Sequence, residues 1–206
     1  MQKVIFILSL FILISCKTVD KNVPAYYNNQ PIVDYVETLI PKDSIIYIHE
    51  NRLSYARAIR TMETGTMPDP VFEKYAVNFL ESEYYKKEAW EALTKRFAKD
   101  STHGKWVTSD FKIPHRMITN TYQKEFYQNT KLHIKEVEEI IRNPKKIFVF
   151  SGVMYYDNNR YAIFSMVISG NVILSGRIKD VLIIMKKKGD TWVYVDKMLN
   201  DEFINY

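Results

Sequence analysis

The chain has 206 residues, 47% of them hydrophobic, with 29 basic and 24 acidic side chains and a net charge of +5. That length makes one ordinary domain with enough apolar chain for a real core, and the mild positive excess is no argument for a nucleic-acid partner. The single cysteine, Cys16, excludes a disulfide within one chain.

Residues 1–16 are the most specific stretch. Lys3 supplies a positive start, and Val4 to Ile14 is apolar except for Ser9. A run of about 11 residues fits a secretory core and falls short of the roughly 20 that span a bilayer. It ends in Leu13-Ile14-Ser15-Cys16. These four residues resemble the lipobox of bacterial lipoproteins. The resemblance implies a diacylglycerol on the Cys16 sulfur, cleavage between Ser15 and Cys16, and acylation of the new amine. It also implies an address: a lipid-anchored protein of the cell envelope. Lys17 stands where an aspartate would retain enterobacterial lipoproteins at the inner membrane, so the outer membrane is expected. Each buried methylene adds about 0.8 kcal/mol, so two or three chains anchor firmly where one does not. The periplasmic and the surface face stay open. Loss of residues 1–15 leaves 191 residues and, with Lys3 gone, a net charge of +4.

Residues 16–31 are polar and read as a lipidated tether, with a single α+β domain over 32–206. Apolar positions 32, 33, 36, 39 and 40 predict a helix that Pro41 stops. Ile45 to Ile48 predicts a short strand, and Leu53 to Met62 a helix. The breaker run Thr64 to Pro70 ends in Asp69-Pro70, a helix-start signature. Apolar residues at 72, 75, 76, 79 and 80, then at 90, 93 and 97, predict one long helix or two. Glu83/Lys87 and Glu91/Lys95 sit in the favourable i,i+4 order. Trp106 to Thr108 has strand character. Residues 131–142 predict a helix that Asn143-Pro144 ends.

From Ile147 the composition turns β-branched and aromatic. Strands are predicted over 147–156, 161–169, 181–187 and 191–198, with a short one at Val172 to Leu174. Asp157-Asn158-Asn159, Gly170-Asn171 and Gly189-Asp190 separate them. Such short links imply antiparallel hairpins. The expected fold is therefore α+β: N-terminal helices, about 32–144, packed on a C-terminal antiparallel β-meander, about 147–198. A cone-shaped sheet of the nuclear-transport-factor-2 type is a second arrangement of the same elements.

Tyr155 to Phe164, followed by Leu182 to Trp192, resembles a pattern of small uncharacterised lipoproteins of Bacteroidota. There, a strand and turn of the type Phe-Ser-x-Asp-x-x-Tyr-Ala precede a hairpin of the form Leu-x-x-x-Lys-Lys-x-x-x-x-Trp. The resemblance covers about 147–198, implies a β-rich half and brings no catalytic residues. The chain departs from the pattern between Gly170 and Gly176.

The search for chemistry is mostly negative. His49, His103, His115 and His133 have no metal-ligand spacing. Ser151-Gly152 lacks the preceding glycine of a nucleophile elbow. Six glycines form no phosphate loop. Glu81/Glu83 and Glu138/Glu139 read as solvated faces, and Lys186-Lys187-Lys188 as a solubilising hairpin end. No catalytic, cofactor or metal residue is assigned, and Cys16 is the one site residue. Fifteen tyrosines and eleven phenylalanines leave two readings open: core, or an aromatic-lined groove. The expected function is non-enzymatic binding of a protein or small ligand, with the membrane as partner through the lipidated N-terminus. The alternatives are an envelope hydrolase, with His115 the first residue to test, and an immunity-type lipoprotein that neutralises a toxin.

Overall fold

The computed structural model describes residues 29–41, 44–68, 75–100, 104–121, 146–170 and 179–199. Cys16, residues 17–28 of the tether, Asp69-Pro70, His103, the 131–142 helix with His133 and Glu138/Glu139, and the Val172 to Leu174 strand lie outside them. The expected tether of 16–31 runs too far: Asn29 is buried, and Gln30 and Pro31 already belong to the first helix.

The first helix, α1, spans Gln30–Leu39 and carries Pro31 in its first turn, where a missing N–H costs nothing. Ile40, ahead of Pro41, is already extended at φ −126°, ψ 148°. Strand β1 (Ile46–His49) follows. Helix α2 (Tyr55–Thr64) starts at Ser54, whose hydroxyl accepts the Arg57 N–H. Gly65 closes it at a close approach: a Cβ there would lie 2.5 Å from the Thr61 carbonyl oxygen and 2.7 Å from that of Leu199.

Strands β2 (Thr66–Pro68) and β3 (Tyr75–Asn78) pair antiparallel. This corrects the expectation of a helix running from Val71: its middle is strand, and a single turn of 3-10 helix (Phe79–Glu81) follows. Helix α3 (Lys87–Phe97) keeps only the second half of the expected helical stretch. Glu83 precedes it, so Glu83/Lys87 is not a helical pair. Trp106 to Thr108 is not a strand either: it runs through a loop into a 3-10 turn at Thr108–Asp110. Strand β4 (His115–Ile118) then lies along β1.

The C-terminal half contains β5 (Lys146–Phe150), β6 (Met154–Tyr156), β7 (Tyr161–Gly170), β8 (Lys179–Lys188) and β9 (Thr191–Leu199). Among the described residues the nine strands form one sheet in the order β3-β2-β9-β8-β7-β5-β1-β4, with β6 also against β7. The β7-β8-β9 meander is antiparallel, as its short links predict. β1 adds two parallel neighbours, β4 and β5, which hairpin reasoning does not reach. The fold is α+β.

Residues 147–156, expected as one strand, form two segments, β5 and β6, that pair with successive halves of β7. At the break, Ser151 N–H donates to the Ser165 carbonyl at 2.9 Å. The return bond runs from Ser165 N–H to the Ser151 hydroxyl, also 2.9 Å. A side chain thus stands in for a ladder carbonyl.

Alternation along the strands divides the core in two. One face carries Phe148, Phe150, Ala162, Phe164, Val181, Ile183 and Met185 under α1 and the Trp106–Ile113 loop. The other carries Tyr161, Ile163, Leu182 and Ile184 under α2, Phe79 and α3. Because β7 and β8 are covered on both faces, their sequences read as continuous apolar runs, not as alternation.

Candidate functional site

On the α2–α3 face, a cleft of about 780 Å³ opens between α3 and the link from β6 to β7. One wall is helical. Glu88, Ala92 and Arg96 recur at the i,i+4 spacing, with Ala89 and Leu93 beside them and Lys86 at the helix start. The other wall is Tyr155, Tyr156 and the turn Asp157-Asn158-Asn159.

The turn has an unusual backbone. Asp157, Asn158 and Asn159 all hold positive φ, at 50°, 54° and 62°. Left-handed geometry costs an ordinary L-residue about 1–2 kcal/mol, and Asp and Asn enter it most readily among side-chain-bearing residues. Three in succession place three polar side chains on one tight loop. The Arg160 N–H closes it on the Asp157 carbonyl at 3.0 Å, and the Lys187 N–H ties it to β8 through the Arg160 carbonyl at 2.9 Å. Arg160 lies 3.3 Å from Asp157 Oδ2 as an ion pair. That oxygen is shut from solvent and, beyond this ion pair, accepts no hydrogen bond.

The two walls are joined through Tyr156. Its hydroxyl accepts the Lys86 N–H at 2.7 Å and donates to the Lys86 carbonyl at 3.1 Å. No side chain caps α3 at Lys86, so this phenol holds the helix start. Burial pushes it up to about 12, with the Lys86 backbone bond acting the other way. It is therefore a neutral two-way hydrogen-bonding group at any physiological pH. Behind it, Phe79 packs on Tyr156 at 5.9 Å and on Trp90 at 5.8 Å, and Tyr161 lies 6.4 Å from Tyr156. Part of the aromatic excess is thus core, and it stiffens the floor of the cleft.

Beside this cluster, Asp196 of β9 is held above the usual carboxylate range, first by burial and then by the Glu83 charge, against the Lys197 N–H. Burial pushes Tyr84 up to about 12 as well, helped by the charges of Asp196 and Glu83.

A second polar cluster sits at the carboxyl ends of the parallel strands β1 and β4. Glu50 accepts the Asn120 N–H at 2.9 Å and pairs with Lys105 at 3.3 Å. The Asn120 bond, first, and Lys105 hold its carboxyl below the ordinary range. His49 Nδ1 accepts the Asn51 N–H at 3.1 Å, Asn51 reaches Asn120 at 3.2 Å, and the Arg52 guanidinium lies 5.0 Å over Trp106. These groups bind one another and staple β1 to β4.

The residues singled out from sequence are scattered. Ile46 pairs with His115 and Ile118 with His49, so the two histidines stand at opposite ends of one ladder. His115 Nδ1–H donates to the Ile113 carbonyl at 2.7 Å, and its ring lies edge-on to Phe111 at 5.6 Å. It is remote from the cleft lining. Glu81 and Glu83 are exposed, and Lys186 to Lys188 form the exposed end of β8, with Lys187 5.9 Å over the Trp192 ring. Among the described residues no three His, Cys, Asp or Glu side chains are grouped to hold a metal ion. No described helix is long and apolar enough to cross a membrane. A helix–sheet cleft or aromatic-lined groove is expected from the sequence, but its place between α3 and the β6–β7 turn and its lining residues are not; the Asp-Asn-Asn run, legible as a turn, is their one signal. No protein-family model, curated protein or solved structure matches the chain.

Proposed function

We propose that this chain is a lipid-anchored protein of the cell envelope, held at the outer membrane through Cys16, whose domain binds a partner or small ligand without transforming it. The observation that supports binding most directly is the cleft. It combines the volume of a small-molecule site with a short set of convergent polar groups, Asp157, Asn158, Asn159, Lys86 and Arg96, on a rigid aromatic floor. Strained backbone gathers where a ligand is clamped, and here it forms one lip of the cleft. The anchor rests on the sequence Leu13-Ile14-Ser15-Cys16.

Two measurements test the reading. In a thermal-shift screen of the full-length protein against envelope-derived fragments, a ligand of the folded state raises Tm by mass action. Substituting Arg96 by Glu is expected to remove that rise, read against the variant's own unliganded Tm, since the guanidinium also lies 4.9 Å over the Phe97 ring. Turnover of any bound fragment would overturn the non-enzymatic part. For the anchor, Cys16→Ser is expected to shift the protein from the membrane to the soluble fraction and to change its electrophoretic mobility. No change in either sinks the anchor.

A further inference from the structure

We propose that the cleft between α3 and the Asp157–Asn159 turn takes a neutral oligosaccharide, an inference that rests on this cleft being the binding site. Lys86, Glu88 and Arg96 lie on the helical wall, and Asp157, already paired with Arg160, lies on the other, so charges of both signs sit side by side in the lining. Such a mixed lining matches a neutral ligand rich in both donors and acceptors.

The hydrogen-bond chemistry of the lining suits a sugar. The Asn158 and Asn159 carboxamides each carry donors and an acceptor, Arg96 is a planar donor fork, and Asp157 is an acceptor. Every sugar hydroxyl both donates and accepts. Neighbouring ring hydroxyls offer the paired sites that a carboxamide, carboxylate or guanidinium engages two at a time.

The shape of the helical wall suits a sugar ring as well. Ala89 and Ala92 are the smallest side chains of the helical wall and, with Leu93, leave a low apolar strip between the polar groups. The C–H face of a pyranose lies against such a strip. A volume of about 780 Å³ holds several sugar rings.

The test uses the full-length protein in detergent micelles, titrated with chitotetraose, maltotetraose, cellotetraose and, as a zwitterionic rival, tetra-alanine. Binding is read by calorimetry and by the side-chain amide resonances of Asn158 and Asn159. At least one tetrasaccharide is expected to bind and to shift those resonances. The double substitution Asn158→Gly/Asn159→Gly keeps the left-handed backbone and removes only the amides. It is expected to weaken binding by about tenfold or more. Ala92→Phe fills the strip and is expected to abolish binding, while the exposed Lys112→Gln leaves it unchanged. Should Ala92→Phe fail to fold, the glycine pair and the resonances decide alone. Binding of tetra-alanine but of no sugar, lost in the glycine pair, overturns the saccharide inference and leaves the cleft as a binding site. Sugar binding that ignores the glycine pair also overturns it. No binding by any probe, with the amide resonances unmoved, sinks the saccharide and counts against the cleft itself.

Discussion

At Ser151 a hydroxyl occupies the place of a strand carbonyl. It accepts the Ser165 N–H, and both residues are fully buried. Ser151→Ala leaves that N–H without a partner and is expected to cost about 1–3 kcal/mol in urea unfolding. Ser165→Ala deletes a buried hydroxyl that has no partner, so its cost should stay within about 0.5 kcal/mol or turn into a slight gain. Equal losses in the two variants would disprove the assignment. Sequence reading treated Ser151-Gly152 as a failed catalytic elbow. Its ladder role was illegible because it depends on the register with Ser165, which no local pattern encodes. The Asp157-Asn158-Asn159 run was legible as a turn. Its left-handed backbone and its place at the cleft were not, since the opposing wall comes from α3, far away in the chain.

At the scale of elements, α3 owes its start to a distant strand. Tyr156→Phe removes the hydroxyl that serves both the N–H and the carbonyl of Lys86. The expected loss is about 1 kcal/mol, with faster amide exchange confined to the first turn of α3. A uniform change across the molecule would contradict a local role. Propensity and periodicity read α1, α2, α3 and the C-terminal hairpins well. They failed over 75–80, where apolar residues spaced like a helix belong to β3 and the 3-10 turn after it. There β2 pairs with β3 on one side and β9 on the other, and that tertiary pairing overrides a local preference. The β8–β9 link shows the opposite case. Gly189, at φ +63°, is the positive-φ residue that a two-residue hairpin turn demands, and its sequence says so.

At the scale of the molecule, buried phenols set the alkaline limit. Burial pushes Tyr35, Tyr84, Tyr155 and Tyr156 from 10.0 up to about 12. A raised folded value means that the neutral form is favoured in the fold. That contribution is complete below pH 10 and is lost as pH rises towards 12. Unfolding free energy should therefore fall across that window, with tyrosinate absorbance rising together with loss of structure. Titration of all tyrosines at pH 10 with the fold intact would refute it. The α+β class was legible because composition changes sharply near Ile147. The two-faced burial was visible only as uninterrupted apolar runs in β7 and β8.

The strand order has a consequence for how the chain is made. β7, β8 and β9 occupy the middle of the sheet, yet they are the last of the described strands to be synthesised. β2, from the first half, has its partner Leu199 only when β9 exists. α1 and α2 pack in part on β7, β8 and β9, so that share of their burial waits for the final hairpin, and pairings so distant in sequence form slowly. Completion of the described sheet is thereby postponed until β9 has been made, and the elements of the first half wait for partners that arrive more than a hundred residues later.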